Sequence, residues 1–114
     1  VYGSAGKLVL DADKGNGVAG SEIIFTIDDS TKLTINGSGH VLPNTTNTQD
    51  LGSSSLVWRN IYTSDFHMTN EGLDKGNDID GTKGSWTFQE GENDLFLINN
   101  KNGKKYKFNL TEVT

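Results

Sequence analysis

Three acidic side chains and an amide fall within seven residues, at Asp74, Asn77, Asp78 and Asp80, in a Gly-rich stretch shortly before Trp86. Carboxylates and amides can hydrogen-bond hydroxyl groups, and an indole offers an apolar surface to the underside of a sugar ring, so this combination suits carbohydrate. Exposed loops on a rigid scaffold are common carriers of recognition, and ligand contacts are therefore expected at Asp74, Asn77, Asp78, Asp80 and Trp86. Trp58, Tyr62 and Tyr106 are further aromatic candidates, but each lies in an alternating apolar pattern that predicts packing.

Metal and catalytic chemistry find less footing. Asp11, Asp13 and Glu22 occupy the first, third and twelfth positions of a calcium-type loop, yet Gly15 and Asn16 replace the fifth-position ligand and sixth-position glycine. A polar turn is the expectation there. Asp74, Asn77, Asp78 and Asp80 match no standard ion-binding spacing. His40 and His67 have no second histidine at ligand spacing, although a threefold assembly would triplicate His67 on its axis. Paired carboxylates for glycoside cleavage need a defined separation that abundance alone does not supply. No metal, cofactor or enzymatic activity is expected.

Composition narrows what can hold these residues. The chain has 114 residues, 32% of them hydrophobic, with 14 Gly, one Pro and no Cys. Disulfides and thiolate metal sites are excluded, and a monomer of this size would have a thin core. A net charge of -5 argues against sequence-independent binding to nucleic acid. No apolar run approaches the roughly 18 residues of a membrane-spanning helix, so no membrane insertion is expected. The chain opens at Val1, from which a piece of a longer protein is expected.

The elements read as β throughout. Short apolar runs at residues 7–11 and 22–29 flank a Gly- and Asn-rich turn. Leu33 and Ile35 alternate with polar residues after a turn at Asp28-Asp29-Ser30-Thr31, and His40-Val41-Leu42 starts a further strand. Residues 43–50 are polar and turn-rich and mark a boundary. Ser53 to Ser55 suit the start of one helical turn, because a serine hydroxyl can accept free amide hydrogens. Residues 62–68 resume a strand pattern, and residues 70–84, with four Gly, form an irregular loop. A three-stranded meander follows over residues 85–89, 94–99 and 104–111. Its last turn carries Asn102-Gly103, the favoured pair for a type I′ turn with positive φ at both positions. Lys101, Lys104, Lys105 and Lys107 follow Glu90, Glu92 and Asp94, and cross-strand pairing of these charges is expected.

The stretch LGSSSLVWRNIYTSD, residues 51–65, resembles a signature of bacteriophage tail fibres of the form LGSSSxxWxNIY, with Leu51, Gly52, Ser53, Ser54, Ser55, Trp58, Asn60, Ile61 and Tyr62 all matching. EIIFTIDDSTKLTINGSGHVL, residues 22–42, is similar to a repeat of such fibres, and the closing segment from Ser85 onward looks like the end of phage structural proteins. Ser64-Asp65 resembles a junction at which some fibres release a C-terminal chaperone. The sequence after it departs from that family, and cleavage is not expected.

The resemblance implies an intertwined, homotrimeric β fibre segment followed by a small antiparallel meander. Residues 1–49 would be shaft-like repeat, 50–69 a connector with a short helical turn and a strand, and 70–114 a β tip. It further implies a trimer core at Trp58, Ile61, Tyr62 and Phe66, a place on the virion beside other tail proteins, and attachment to a host polysaccharide or lipopolysaccharide. A purely structural module that registers and caps the trimer is the alternative, and part of a polysaccharide-degrading tailspike a third.

Overall fold

The computed structural model describes residues 2–15, 17 and 19–114, with residues 2–4 as backbone only. Among these residues there is no helix, and nine strands form a two-stranded ribbon and two larger antiparallel sheets. The chain divides into two compact units, Val1–Val57 and Trp58–Thr114.

In the first unit, β1 (Tyr2–Ser4) pairs with β2 (Lys7–Val9), and β3 (Ile23–Ile27), β4 (Ser30–Ile35) and β5 (Val41–Pro43) form a sheet in chain order. Ile27 pairs with Ser30, leaving Asp28 and Asp29 as a two-residue turn with φ of 49° and 56°. Positive φ at both central residues defines type I′, and Asp accepts that conformation better than most residues. A register shift between Phe25 and Thr26 leaves Lys32 unpaired across the ladder. Ile23 and Phe25, Leu33 and Ile35, and Val41 and Pro43 are cross-strand partners, so one face of this sheet is apolar. No hydrophobic residue of that face is buried.

The second unit holds β6 (Asp65–Thr69), β7 (Ser85–Glu90), β8 (Leu95–Asn99) and β9 (Lys105–Lys107), paired in that order. The predicted meander is β7 to β9, with its last strand ending at Lys107 rather than Thr111, and the strand read at residues 62–68, here Asp65–Thr69, supplies the fourth member of the same sheet. Period-two alternation separates its faces. Phe66, Phe88, Leu97 and Tyr106 lie in one cross-strand row, and His67, Thr87, Ile98 and Lys105 in the next, on the opposite face.

Two local expectations are corrected. Asn102 is not among the residues with positive φ, whereas Gly103 has φ 73°. Asn99 donates its amide to Lys104 O at 2.9 Å and Gly103 donates to Asn99 O at 2.8 Å, so the loop is four residues long with one left-handed position. Two extra loop residues relieve the requirement that both Asn102 and Gly103 twist the strands. The second correction concerns Ser53. Its Oγ accepts the Leu56 amide at 3.0 Å as a cap would, but the Ser53 amide bonds back to Leu56 O at 3.0 Å. That reciprocal closure consumes the first turn, and no helix follows.

Candidate functional site

The loop of residues 70–84 grows out of the last pair of the β6–β7 ladder, Thr69 with Ser85. Asn70 clamps its neck: its backbone amide donates to Gly84 O at 3.2 Å, and its Oδ1 accepts the Gly84 amide at 2.7 Å. Asn77 organises the interior. Its Oδ1 accepts the amides of Ile79 and Asp80 at 2.8 and 3.1 Å, and its Nδ2 donates to Asp80 Oδ1 at 2.8 Å and Thr82 O at 3.0 Å. Such short-range side-chain bonds let Asn replace a regular backbone turn. Gly76 completes the fold of the loop, because a Cβ there would stand 2.0 Å from Gly81 O. Only glycine fits so close to another backbone.

Asp80 Oδ1 accepts from the Thr82 amide at 3.0 Å, the Thr82 hydroxyl at 2.8 Å and Asn77 Nδ2. These donors, the Thr82 amide foremost, hold its carboxyl below the usual carboxylate range. Asp80 and Asn77 thus spend their polar groups on the loop itself. Asp78 is exposed and pairs with Lys75 at 3.2 Å, and Asp74 is exposed without a hydrogen bond or ion pair to a described residue.

Of the five expected contact residues, two meet. Asn77 and Trp86 line a cleft of about 500 Å³ with Met68, Thr69, Asn70, Thr82, Lys83, Gly84, Asn99 and Lys101. The indole lies over Gly84, where a Cβ would sit 3.2 Å from Nε1. Asp74, Asp78 and Asp80 are outside the lining. Lys101 and Asn99 reach the cleft from the β8–β9 hairpin, a placement sequence spacing could not supply. In the first unit, Asp11, Asp13 and Glu22 line a common cleft with Ser21 and Asn36. Asn16 lies outside the described residues, and among the described residues no three His, Cys, Asp or Glu side chains could hold a metal ion.

The expected interchain residues separate into two groups. Phe66 lies on the sheet with its ring centroid 6.0 Å from that of Phe88, Phe88 stacks on Phe108 at 5.8 Å, and Trp86 meets Tyr106 at 5.8 Å. Rings this close pack on one another, rather than lying side by side as a flat platform for a sugar chain. Trp58, Ile61 and Tyr62 lie on a segment without secondary structure, and Trp58 and Tyr62 are 62% and 91% exposed.

The opposite face carries a polar row that the sequence reading missed. Thr87, at 3% exposure, has its hydroxyl 2.9 Å from His67 Nδ1 and 3.0 Å from Asn100 Nδ2. Asp65 Oδ2 stands 3.7 Å from His67 Nε2, beyond hydrogen-bond range, and accepts from Gln89 Nε2 at 3.3 Å. The row ties β6, β7 and the hairpin loop together. Parity was the available signal, since His67 lies between Phe66 and Met68 and Thr87 between Trp86 and Phe88. Of the charges expected to pair across the meander, Lys107 meets Asp94 at 3.7 Å, while Lys101 turns to Glu71 at 3.5 Å.

No family model matches this chain, and no curated protein or solved structure matches it.

Proposed function

We propose that the chain is a distal segment of a viral tail fibre, assembled as a homotrimer and serving attachment of the particle to a host surface glycan. The observation that carries this reading is the state of the LGSSSLVWRNIYTSD segment. Leu51, Leu56, Val57, Trp58, Ile61 and Tyr62 are all more than half exposed, a density of open apolar side chains that calls for burial against something else. Surface area supports the same conclusion. Two separate compact units of half the chain's mass would together expose about 7,400 Å². The chain exposes 10142 Å². The excess, about 2,700 Å², falls in the range that obligate assemblies bury.

In this reading the apolar sheet faces and the connector form the interchain core, and the loop of residues 70–84 faces outward with the cleft beside Trp86. Individually weak contacts to a repeated glycan gain strength when several tips bind together. Sedimentation or light scattering of the chain should give three copies. Labelled protein should adsorb to host cells and be competed by their surface polysaccharide. A monodisperse monomer would overturn the assembly.

The structural-module alternative has one observation in its favour: Asn77 and Asp80, the best hydrogen-bonding groups of the loop, are committed to holding its shape. A trimer that adsorbs to no host cell would select that alternative.

A further inference from the structure

We propose that the cleft beside Trp86 binds an acidic sugar residue, one carrying a carboxylate or a phosphate group. The proposal deepens the attachment reading and rests on it for the kind of ligand; the acidic group is argued from the cleft alone.

Each acceptor of the cleft described next already takes at least one hydrogen bond, and Thr82 O and Gly84 O take two or more. Thr82 O accepts from the Asn77 amide at 3.0 Å, from Asn77 Nδ2 at 3.0 Å and from Asn70 Nδ2 at 3.3 Å. Gly84 O accepts from the Asn70 amide and the Thr69 hydroxyl, both at 3.2 Å, and Lys83 O from Lys101 Nζ at 3.5 Å. Asn70 Oδ1 holds the Gly84 amide, and Asn99 Oδ1 holds the Lys101 amide at 3.0 Å. The Thr69 hydroxyl accepts from the Glu71 amide at 3.2 Å, and that of Thr82 donates to Asp80.

What remains is a set of donors. Asn99 Nδ2 and Trp86 Nε1 make no hydrogen bond to a described residue. Lys83 Nζ gives one hydrogen to Leu73 O, and Lys101 Nζ approaches Glu71 Oε1 at 3.5 Å, so each ammonium keeps hydrogens to offer. Lys83 and Lys101 are the only charged residues in the lining. A neutral sugar hydroxyl both donates and accepts, and its donating capacity meets only acceptors that already hold a hydrogen bond. A carboxylate or phosphate only accepts, and its bonds to ammonium groups are charge-assisted. The indole and Met68 supply apolar surface for the ring, within a volume adequate for one sugar unit.

The test titrates the intact protein with a galacturonate trisaccharide, a hexose phosphate, the neutral galactose trisaccharide and inorganic phosphate, following backbone amide resonances. Binding of the galacturonate or hexose phosphate should be at least about tenfold tighter than that of the neutral sugar, and should weaken with added salt. The preferred acidic sugar identifies the charged group. Lys101→Gln and Asn99→Asp should each weaken it about tenfold or more, while the Asn77 and Thr82 resonances report an intact loop. Equal affinity for the neutral sugar, equal affinity for inorganic phosphate, or unchanged binding in both variants would overturn the proposal. Host-cell adsorption separates it from the reading beneath it. Adsorption that acidic sugars do not compete leaves attachment standing and sinks the cleft. Acidic-sugar binding without adsorption does the reverse.

Discussion

The two irregular segments of this protein, residues 51–64 and 70–84, differ in how far they satisfy themselves. The loop of residues 70–84 does so from within: Asn70, Asn77, Asp80 and Thr82 satisfy one another and the backbone, and Gly76 permits the closest approach. Segment 51–64 has the reciprocal Ser53–Leu56 pair, a Thr63 hydroxyl bond to Asp65 O at 2.8 Å, and a row of apolar side chains facing solvent. Polar groups can be satisfied locally because hydrogen bonds are short-range and directional, whereas apolar side chains need a volume of packed neighbours. The loop of residues 70–84 can therefore hold its form in an isolated chain, whereas residues 51–64 would, in the proposed assembly, take theirs from what packs against them.

The largest test of this contrast is Trp58→Ala. Within the single chain the indole is mostly exposed, so the substitution should leave the folded unit's near-ultraviolet signal from Trp86 unchanged. Buried in an assembly, its loss should cost about 3–5 kcal/mol per chain, read as dissociation on dilution and a lowered, concentration-dependent Tm. An unaltered assembly would return Trp58 to the surface and erase the contrast. Gly76→Ala should strike the loop instead. Its Cβ cannot be placed without moving Gly81, and overpacking of this kind costs about 1–3 kcal/mol. Amide exchange should quicken at Asn77, Gly81 and Thr82 with assembly intact. Protection equal to that of the parent would show the loop to be held from outside.

Acid offers a gentler probe. The Asp80 carboxyl is lowered from its ordinary 3.8 by the Thr82 and Asn77 donors, so its contribution is fully present above that value and is lost as pH falls through the lower folded value. The Thr82 amide resonance should titrate with its midpoint below 3.8. A midpoint at or above that value would deny Asp80 its place in the network. The smallest effect is expected of Asp74→Ala with Asp78→Ala, within about 0.5 kcal/mol in stability, because Asp74 bonds to no described residue and the Asp78–Lys75 pair is exposed to solvent. A marked drop in Tm would reveal a further partner for one of them.

Much of the β architecture was legible because alternation reports which residues share a face. Strands β3, β4 and β7 to β9 followed from it, and a turn at Asp28-Asp29-Ser30-Thr31 was recognisable from residue type, although Ser30 and Thr31 already belong to β4. Turn type at Asn102-Gly103 was not, since it depends on whether two or four residues close the hairpin, and the ladder register decides that. The Ser53 cap shows the same limit: the hydroxyl does what a cap does, but whether a helix follows depends on where the next amides find acceptors. At the candidate site, Asn77 and Trp86 were legible as types suited to sugar. Their company was not, because Asn99 and Lys101 arrive through the β7–β8 pairing, and pairing is not written in local sequence.

The committed bonds of the loop also divide its residues into those that must stay and those that can change. Gly76, Asn77, Asp80 and Thr82 form the frame, while Asp74, Lys75, Asp78 and Ile79 decorate it, Ile79 at 95% exposure. Mutational drift should therefore be uneven along fifteen neighbouring residues, frozen at the frame and permissive at the decorations. A surface built this way can change its charge and shape over generations without reopening the problem of how to fold.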